Sequence, residues 1–214
     1  MQIQTLTINN NTLELLPQKA IYWQEIKTLI VSDLHLGKAS HFRKHGLAIP
    51  MESGIDDLHH LDALLTSYLP KRLLMLGDLF HSDYNQEWEY FGALRKKFSA
   101  IEFQLVRGNH DILKDHHYEK HNIEMHQKSL YEHGLVFSHD LIKLQKEEFS
   151  ISGHIHPGFV LHGRGRQSIT LPCFYKKQNT LIMPAFGRLT GLAHMPHAED
   201  AEVFVLTEEA VHRL

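Results

Sequence analysis

Apolar and polar positions alternate over Ile3 to Ile8, Thr12 to Leu16 and Lys19 to Trp23, with Asn9-Asn10-Asn11 and Pro17-Gln18 between them. Period-two alternation broken by Asn and Pro predicts a short antiparallel meander. The first core strand is then Lys27 to Ser32. After Pro50 the period lengthens: Ile55, Leu58, Leu61, Leu64 or Leu65 and Tyr68 fall at helical spacing, so an amphipathic helix is expected to end before Pro70. A strand over Arg72 to Leu76 follows. Trp88, Phe91, Leu94 or Arg95 and Phe98 mark a second helix, whose aromatic face reads as core. Strand, helix, strand and helix up to Val106 predict parallel pairing with right-handed crossovers.

Beyond about Asn122 the helical period disappears. Short strands are expected at Asn122 to His126, Leu135 to Ser138, Phe149 to Ser152, Ser168 to Tyr175, Thr180 to Met183 and Glu202 to Thr207, with Gly163-Arg-Gly-Arg-Gln as a turn or mobile loop. The second half therefore reads as a mostly β layer. Two sheets face to face with helices outside would make an α/β sandwich whose loops meet at one rim. No internal repeat, low-complexity tract or Gly/Ser linker interrupts the chain, so residues 1 to 214 are expected to form a single domain.

The apolar strands end in an unusual way. Leu105-Val-Arg-Gly-Asn-His-Asp111 breaks from a strand into an amide, an imidazole and a carboxylate, the usual address of an α/β active site. Asp33-Leu-His35, Gly77-Asp78, Ser138-His139 and Gly153-His154-Ile-His156 close four other apolar runs in the same manner. Asp33 and His35 straddle one residue, so in a turn both reach a single ion. Gly77 lets backbone and metal approach closely beside Asp78. A carboxylate can bridge two cations about 3.5–4 Å apart. With Asn109 as a neutral oxygen and His139, His154 and His156 as imidazoles, the donors suffice for two ions. This mixed O and N set, without thiolate, favours Mn²⁺, Fe or Zn²⁺ over Mg²⁺ alone.

Composition narrows the setting. The 214 residues are 43% apolar and 22% charged, long enough for a sizeable core. The single cysteine, Cys173, excludes an internal disulfide framework, suits a reducing compartment and reads as inert packing inside an apolar strand. No basic and apolar leader opens the chain and no run approaches the ~18 apolar residues of a membrane span, so a cytoplasmic protein without a membrane partner is expected. A net charge of −3 gives no global footprint for nucleic acid, so attraction to an anionic substrate has to be local. Nineteen histidines are many, yet a lone histidine is more often a surface or satisfied core residue than a ligand.

Taken together and in order, D-x-H, G-D, G-N-H-D, a lone strand-end His and G-H-x-H resemble the calcineurin-like metallophosphoesterase superfamily, over Asp33 to His156. Ser32-Asp-Leu-His-Leu-Gly-Lys38, Phe42-Arg43, Gly46, Pro184-Ala-Phe-Gly187 and Thr190-Gly191 further resemble bacterial ligase-associated DNA damage response endonucleases. The resemblance implies the metallophosphoesterase β-sandwich flanked by helices (αββα). It implies one ion held by Asp33, His35, Asp78 and His156 and another by Asp78, Asn109, His139 and His154. His110 would stabilise charge on the phosphoryl group or protonate the leaving oxygen, with Asp111 orienting it. Two cations, Mn²⁺ foremost with Fe or Zn²⁺ as alternatives, would lower the pKa of a bridging water and support in-line displacement. By the same resemblance, partners would be DNA and a ligase, helicase and exonuclease of one repair pathway.

Other residues have two readings each. Asp111 reads equally as an N-cap for Ile112 to Tyr118. Lys38-Ala-Ser-His-Phe-Arg-Lys-His-Gly46 combines cations with rings, so Lys38 and Arg43 could clamp a phosphate and Phe42 stack on a base; the plain reading is a solvated basic turn. Arg107 either pairs with a carboxylate or reaches substrate. The function expected is hydrolysis of a phosphodiester by a dinuclear metal enzyme, a DNA endonuclease of a repair setting. Its rivals are a small-molecule phosphodiesterase or nucleotide pyrophosphatase, and a non-catalytic scaffold on the same fold.

Overall fold

The computed structural model describes residues 1–39, 46, 53–81 and 87–214. Phe42 and Arg43, expected to touch substrate, lie outside the described residues. The meander forms as expected: β1 (Gln4–Ile8), β2 (Asn11–Leu16), β3 (Ala20–Trp23) and β4 (Thr28–Ser32) pair antiparallel in chain order. Helix α1 (Ser53–Tyr68) then leads to β5 (Arg72–Leu76), α2 (Glu87–Lys97) to β6 (Glu102–Val106), and the short α3 (Asp115–Glu119) to β7 (Ile123–His126). From β4 to β7 the pairing is parallel, as strand and helix alternation requires. These seven strands make one sheet in sequence order.

The second sheet is built from β8 (Ser129–Glu132), β9 (Leu135–Ser138), β10 (Phe149–Ser152), β11 (Pro157–His162), β12 (Ser168–Lys177), β13 (Thr180–Ile182), β14 (Ala193–His194), β15 (Ala201–Leu206) and β16 (Val211–Arg213). Its path runs β14-β11-β12-β13-β10-β9-β8, with β15 on β12 and β16 on β15. Here the sequence reading falls short: β8, β11, β14 and β16 are additional strands. Each is short or opens directly from a loop, and pairing partners define it more than periodicity does. The Gly163 to Gln167 turn holds one 3₁₀ turn, Arg164–Arg166.

Two apolar layers hold the sandwich. Leu13, Trp23, Ile30, Leu74 and Val106 of the first sheet meet Phe137, Ile151, Phe174, Leu181 and Phe204 of the second, all fully or nearly fully buried. On the far side of the first sheet, Leu61 and Leu65 of α1, Trp88 and Phe91 of α2 and Tyr118 of α3 cover Leu29, Val31, Met75 and Leu105. The outer face of the second sheet has a smaller cluster around Phe159, Cys173, Tyr175 and Val205, with no helical residue among its described members. Cys173 is buried, and burial alone pushes its thiol up to about 12, in keeping with inert packing.

Register sets the site. Ser32 pairs with Leu76 and Leu76 with Val106, so β4, β5 and β6 end level. Ser138 pairs with Ser152 and Ser152 with Ile182, so β9, β10 and β13 end level too. The residues that follow these strands, Asp33, Gly77, Arg107, His139 and Gly153, therefore leave the two sheets at one shared rim.

Candidate metal centre

The rim is stitched by backbone before any side chain acts. Asp33, His35 and Leu36 donate to the carbonyls of Gly77, Asp78 and Leu79, and His81 N–H donates back to Leu36 O. From the second sheet, Gly153 N–H donates to His139 O, while Phe186 and Gly187 donate to Ser32 O and Asp33 O. Pro184-Ala-Phe-Gly187 is thus the strap that holds the Asp33 turn.

Five polar residues of this rim adopt left-handed backbone: Asp33 (φ 54°), His35 (49°), Asp78 (50°), His154 (66°) and His156 (54°). Such conformations cost on the order of 1–3 kcal/mol each and persist where the surroundings impose them, commonly at functional sites. Close approach is enforced by glycine. A Cβ on Gly77, itself at φ +76°, would sit 2.2 Å from His139 Nδ1. One on Gly108 would sit 2.3 Å from Asp78 Oδ1, and one on Gly153 1.8 Å from Ser32 Oγ.

Two groups of donors converge within this frame. In the first, Asp33, His35 and His156 each offer an atom within 4.8 Å of the others. His156 Nε2 is 3.2 Å from Asp33 Oδ1 and 3.4 Å from His35 Nε2. In the second, Asp78, His139 and His154 do the same. His139 Nε2 lies 3.0 Å from His154 Nδ1, 3.0 Å from Asn109 Oδ1 and 3.5 Å from Asp78 Oδ2. The two groups share an atom: Asp78 Oδ2 is also 3.6 Å from His35 Nε2.

This arrangement fits cations and little else. His139 Nδ1 donates to Leu76 O at 3.0 Å, which leaves Nε2 as a lone pair aimed at Asn109 Oδ1 and Asp78 Oδ2. Asp33 Oδ1 is buried without a hydrogen bond of acceptable geometry, while its partner oxygen takes Ser32 Oγ at 2.5 Å and His154 N–H at 3.0 Å. Carboxylate, amide and imidazole donors converging in this way suit a positive ion among them. Burial drives His35 down to about 3, so its imidazole is neutral, the form that ligates metal. Asp33 is held below its ordinary value: burial would raise it, but His156, His139 and Ser32 together outweigh that. Asp78 is raised by burial, with His139 and the His110 N–H opposing.

His110 stands beside the first group, its ring 5.4 Å from that of His35, and its N–H donates to Asp78 Oδ1 at 2.8 Å. Lys38 is half-buried, and burial lowers its ammonium while Asp78 and Asp33 pull it up, so its charge faces the site carboxylates. Two expectations need correction. Asp111 caps no helix, because α3 begins at Asp115 behind Lys114, and its carboxylate does not hold the His110 ring. Instead it accepts the N–H groups of Gly108, Leu79 and Phe80, tying the Asp78 turn to the Asn109 turn, and burial raises it to about 7. Arg107 takes the carboxylate role: its guanidinium pairs with Asp115 and binds the carbonyls of Asp111 and Leu113, bracing the loop.

Sequence reasoning passed over His81 and Ser32. His81 Nδ1 is 3.3 Å from His35 Nδ1 and its ring 4.6 Å from that of His110. The Leu36 to Phe80 bridge carries the parallel pairing past both strand ends and sets His35 and His81 side by side. The signal was there in Asp78-Leu-Phe-His81, a second polar residue three positions past the strand-end carboxylate.

Comparison with known proteins agrees with this geometry. No curated protein sequence matches the chain. The chain is similar to the solved nuclease MPE of Pseudomonas putida, with a TM-score of 0.81 and 25% identity, each chain being covered over 100% of its length. The family model for the calcineurin-like phosphoesterases matches residues 26–199, which takes in both donor groups and the strap that binds them. The chain belongs to the calcineurin-like phosphoesterase family, whose members are metal-dependent hydrolases of phosphoesters.

Proposed function

We propose that this phosphoesterase hydrolyses phosphodiesters in DNA, as a dinuclear Mn²⁺-dependent endonuclease of a repair setting. The observation that carries the dinuclear part is Asp78 Oδ2, placed 3.6 Å from His35 Nε2 and 3.5 Å from His139 Nε2, midway between the two donor groups. Asp33, His35, Asp78 and His156 would hold one ion, and Asp78, Asn109, His139 and His154 the other. Bound there, two divalent cations supply Lewis acidity toward the phosphate and an acidified water for in-line attack.

The remaining steps belong to the chain. Lys38 offers a cation beside the carboxylates and neutralises a non-bridging phosphate oxygen. His110, fixed through its own N–H to Asp78, delivers a proton to the departing sugar oxygen, and the imidazole recovers it from solvent. General acid assistance of this kind contributes typically ~10²–10⁴ in rate. Asn109 and His154 are exposed, so the side facing solvent admits a polymer strand to the centre. The similarity to a solved nuclease over the full chain supports DNA as the substrate.

The test is hydrolysis by protein stripped of metal and refilled with Mn²⁺, offered single-stranded DNA, nicked duplex and a nitrophenyl diester side by side. Asp78→Asn serves as the control. Internal cuts that vanish in Asp78→Asn, together with loss of both ions by elemental analysis, are expected. Turnover of the small diester alone would reassign the protein to small-substrate hydrolysis, the reading a net charge of −3 favours. In that case activity should depend little on ionic strength.

A further inference from the structure

On the same rim as the metal centre lies a second concavity of about 880 Å³. Its floor is apolar, formed by Leu64 and Tyr68 of α1, Leu171 and Pro172 of β12, and Phe186 and Leu206. Its edge carries the basic residues Lys19, His60 and Arg188, with Glu208 also in the lining. The two sites are neighbours in the fold. Ile21 pairs with Ile30, so Lys19 lies level with Ser32, and Arg188 follows Gly187, whose N–H binds Asp33 O.

The basic residues are unequally matched by acid: Glu208 also lines the cleft and Arg188 has Asp56 beside it, whereas Lys19 has no such contact among the described residues. Arg188 Nη2 is 2.6 Å from His60 Nε2, and its other nitrogen is 3.6 Å from the half-exposed Asp56. Asp57 is buried behind the edge, and both its oxygens accept the Arg188 backbone N–H, at 3.3 and 3.2 Å. The Lys19 ammonium makes no hydrogen bond or ion pair among the described residues, although the residue is half-buried. It is held there on left-handed backbone, φ 61°, a conformation lysine seldom adopts. Burial and the neighbouring Arg188 lower its pKa, with Asp57 opposing. Burial and Arg188 lower His60, which suits a neutral imidazole accepting from Arg188 Nη2, so the cations of this edge are Lys19 and Arg188, and the Lys19 ammonium is the one left for an anion.

A basic edge over an apolar floor matches a nucleotide, with its phosphate on the edge and its base on the floor. We propose that this cleft is a subsite for a single-stranded nucleic acid, holding a nucleotide that flanks the scissile phosphate, with Lys19 and Arg188 on its backbone. The inference rests on the DNA reading above and adds to it a path for the strand, from Lys38 across the Phe186 to Arg188 strap and into the cleft.

Binding decides it, apart from cleavage. The probe is a fluorescent single strand of roughly 12 nucleotides, titrated by anisotropy onto Mn²⁺-loaded protein in the His110→Ala background to prevent turnover. Lys19→Asn, which tolerates left-handed backbone, and Arg188→Gln are compared singly and together, with melting temperatures to confirm folding. Each is expected to weaken binding about tenfold and to lower the slope of log K against log salt by about 0.7. Lys19→Arg should restore both. In the otherwise wild-type background, kcat/KM for oligonucleotide cleavage should fall at least about tenfold further than kcat/KM for a nitrophenyl diester. Binding within twofold of the parent at unchanged slope would overturn the cleft, even if DNA is cleaved. Binding that depends on Lys19 and Arg188 without any DNA cleavage would keep the cleft and overturn the endonuclease reading. Failure to bind the strand at all would remove both.

Discussion

Ser32 and Gly108 show how far a metal centre depends on residues that never touch a metal. Ser32 Oγ holds one oxygen of Asp33, which leaves the other free to face His156. Ser32→Ala should lower metal affinity about tenfold, since removing the support of a ligand typically costs 10- to 100-fold; calorimetric Mn²⁺ titration reads it. Gly108→Ala should be more severe, because its Cβ would meet Asp78 at both Oδ1 and the backbone nitrogen. Elemental analysis should find both ions depleted in a protein with unchanged circular dichroism. His110→Ala should do the opposite, retaining both ions while turnover falls by roughly 10²–10⁴. Loss of metal in that variant would make His110 a ligand. At this scale the strand-end Asp, Asn and His residues are legible in the sequence, because a polar group closing an apolar run has few structural reasons to be there. Ser32 and His81 are not, because Ser32 sits inside a strand and His81 gains its meaning only when β4 and β5 continue their pairing to Leu36 and Phe80.

Helix α1 is tied to the strap of the metal centre through Asp57, which is 5% exposed and accepts the Arg188 N–H. Burial raises its carboxyl to about 6. Lys19, Arg188 and Asp56 face it, the first two favouring its charge and the last opposing it. The folded value lies above the ~3.9 of an unfolded Asp, so the folded state holds the proton more tightly. Stability from this group is therefore full below about pH 4 and is lost as pH rises through about 6. Asp57→Asn keeps an acceptor for Arg188 and removes the buried charge. It should raise stability at pH 7.5 by about 1–3 kcal/mol and flatten its dependence between about pH 4 and 6, read by denaturant melts across that range. Elements were legible wherever one period ran long enough: α1, α2 and the strands from β1 to β6 follow the apolar pattern within a residue or two. β8 and β11 escaped because Ser129–Glu132 is half-exposed throughout and Pro157–His162 runs from buried to exposed, so neither alternates cleanly.

The two sheets contribute unequally to the centre. Asp33, His35, Asp78 and Asn109 leave the first, and His139, His154 and His156 the second, so the proposed ions clamp the sandwich together. Saturating Mn²⁺, at about a hundred times its Kd, should stabilise the fold by about 2.7 kcal/mol per site, and EDTA should lower the melting temperature accordingly. A melting temperature indifferent to EDTA would argue against ions bridging the sheets. Phe174→Ala, in the layer between the sheets, should cost about 3–5 kcal/mol and loosen both ions at once. The division into two sheets was legible, but the full composition and order of the second were not: four of its strands went unseen, and Asn122 to His126, read with the second-half β layer, pairs with β6 in the first sheet. The second sheet's path visits β11, β12, β13 and β10 out of sequence order, and such long-range pairing leaves no mark on local periodicity. The split of donors has a bearing on the chain's own synthesis. A ribosome that has delivered everything up to β7 has made four of the seven donors and the histidine beside them, yet none of the imidazoles from the second sheet. An unfinished copy, on the function proposed above, is thereby disarmed: it lacks the donors to assemble the proposed dinuclear centre, and hydrolytic power would arrive only with the last act of folding.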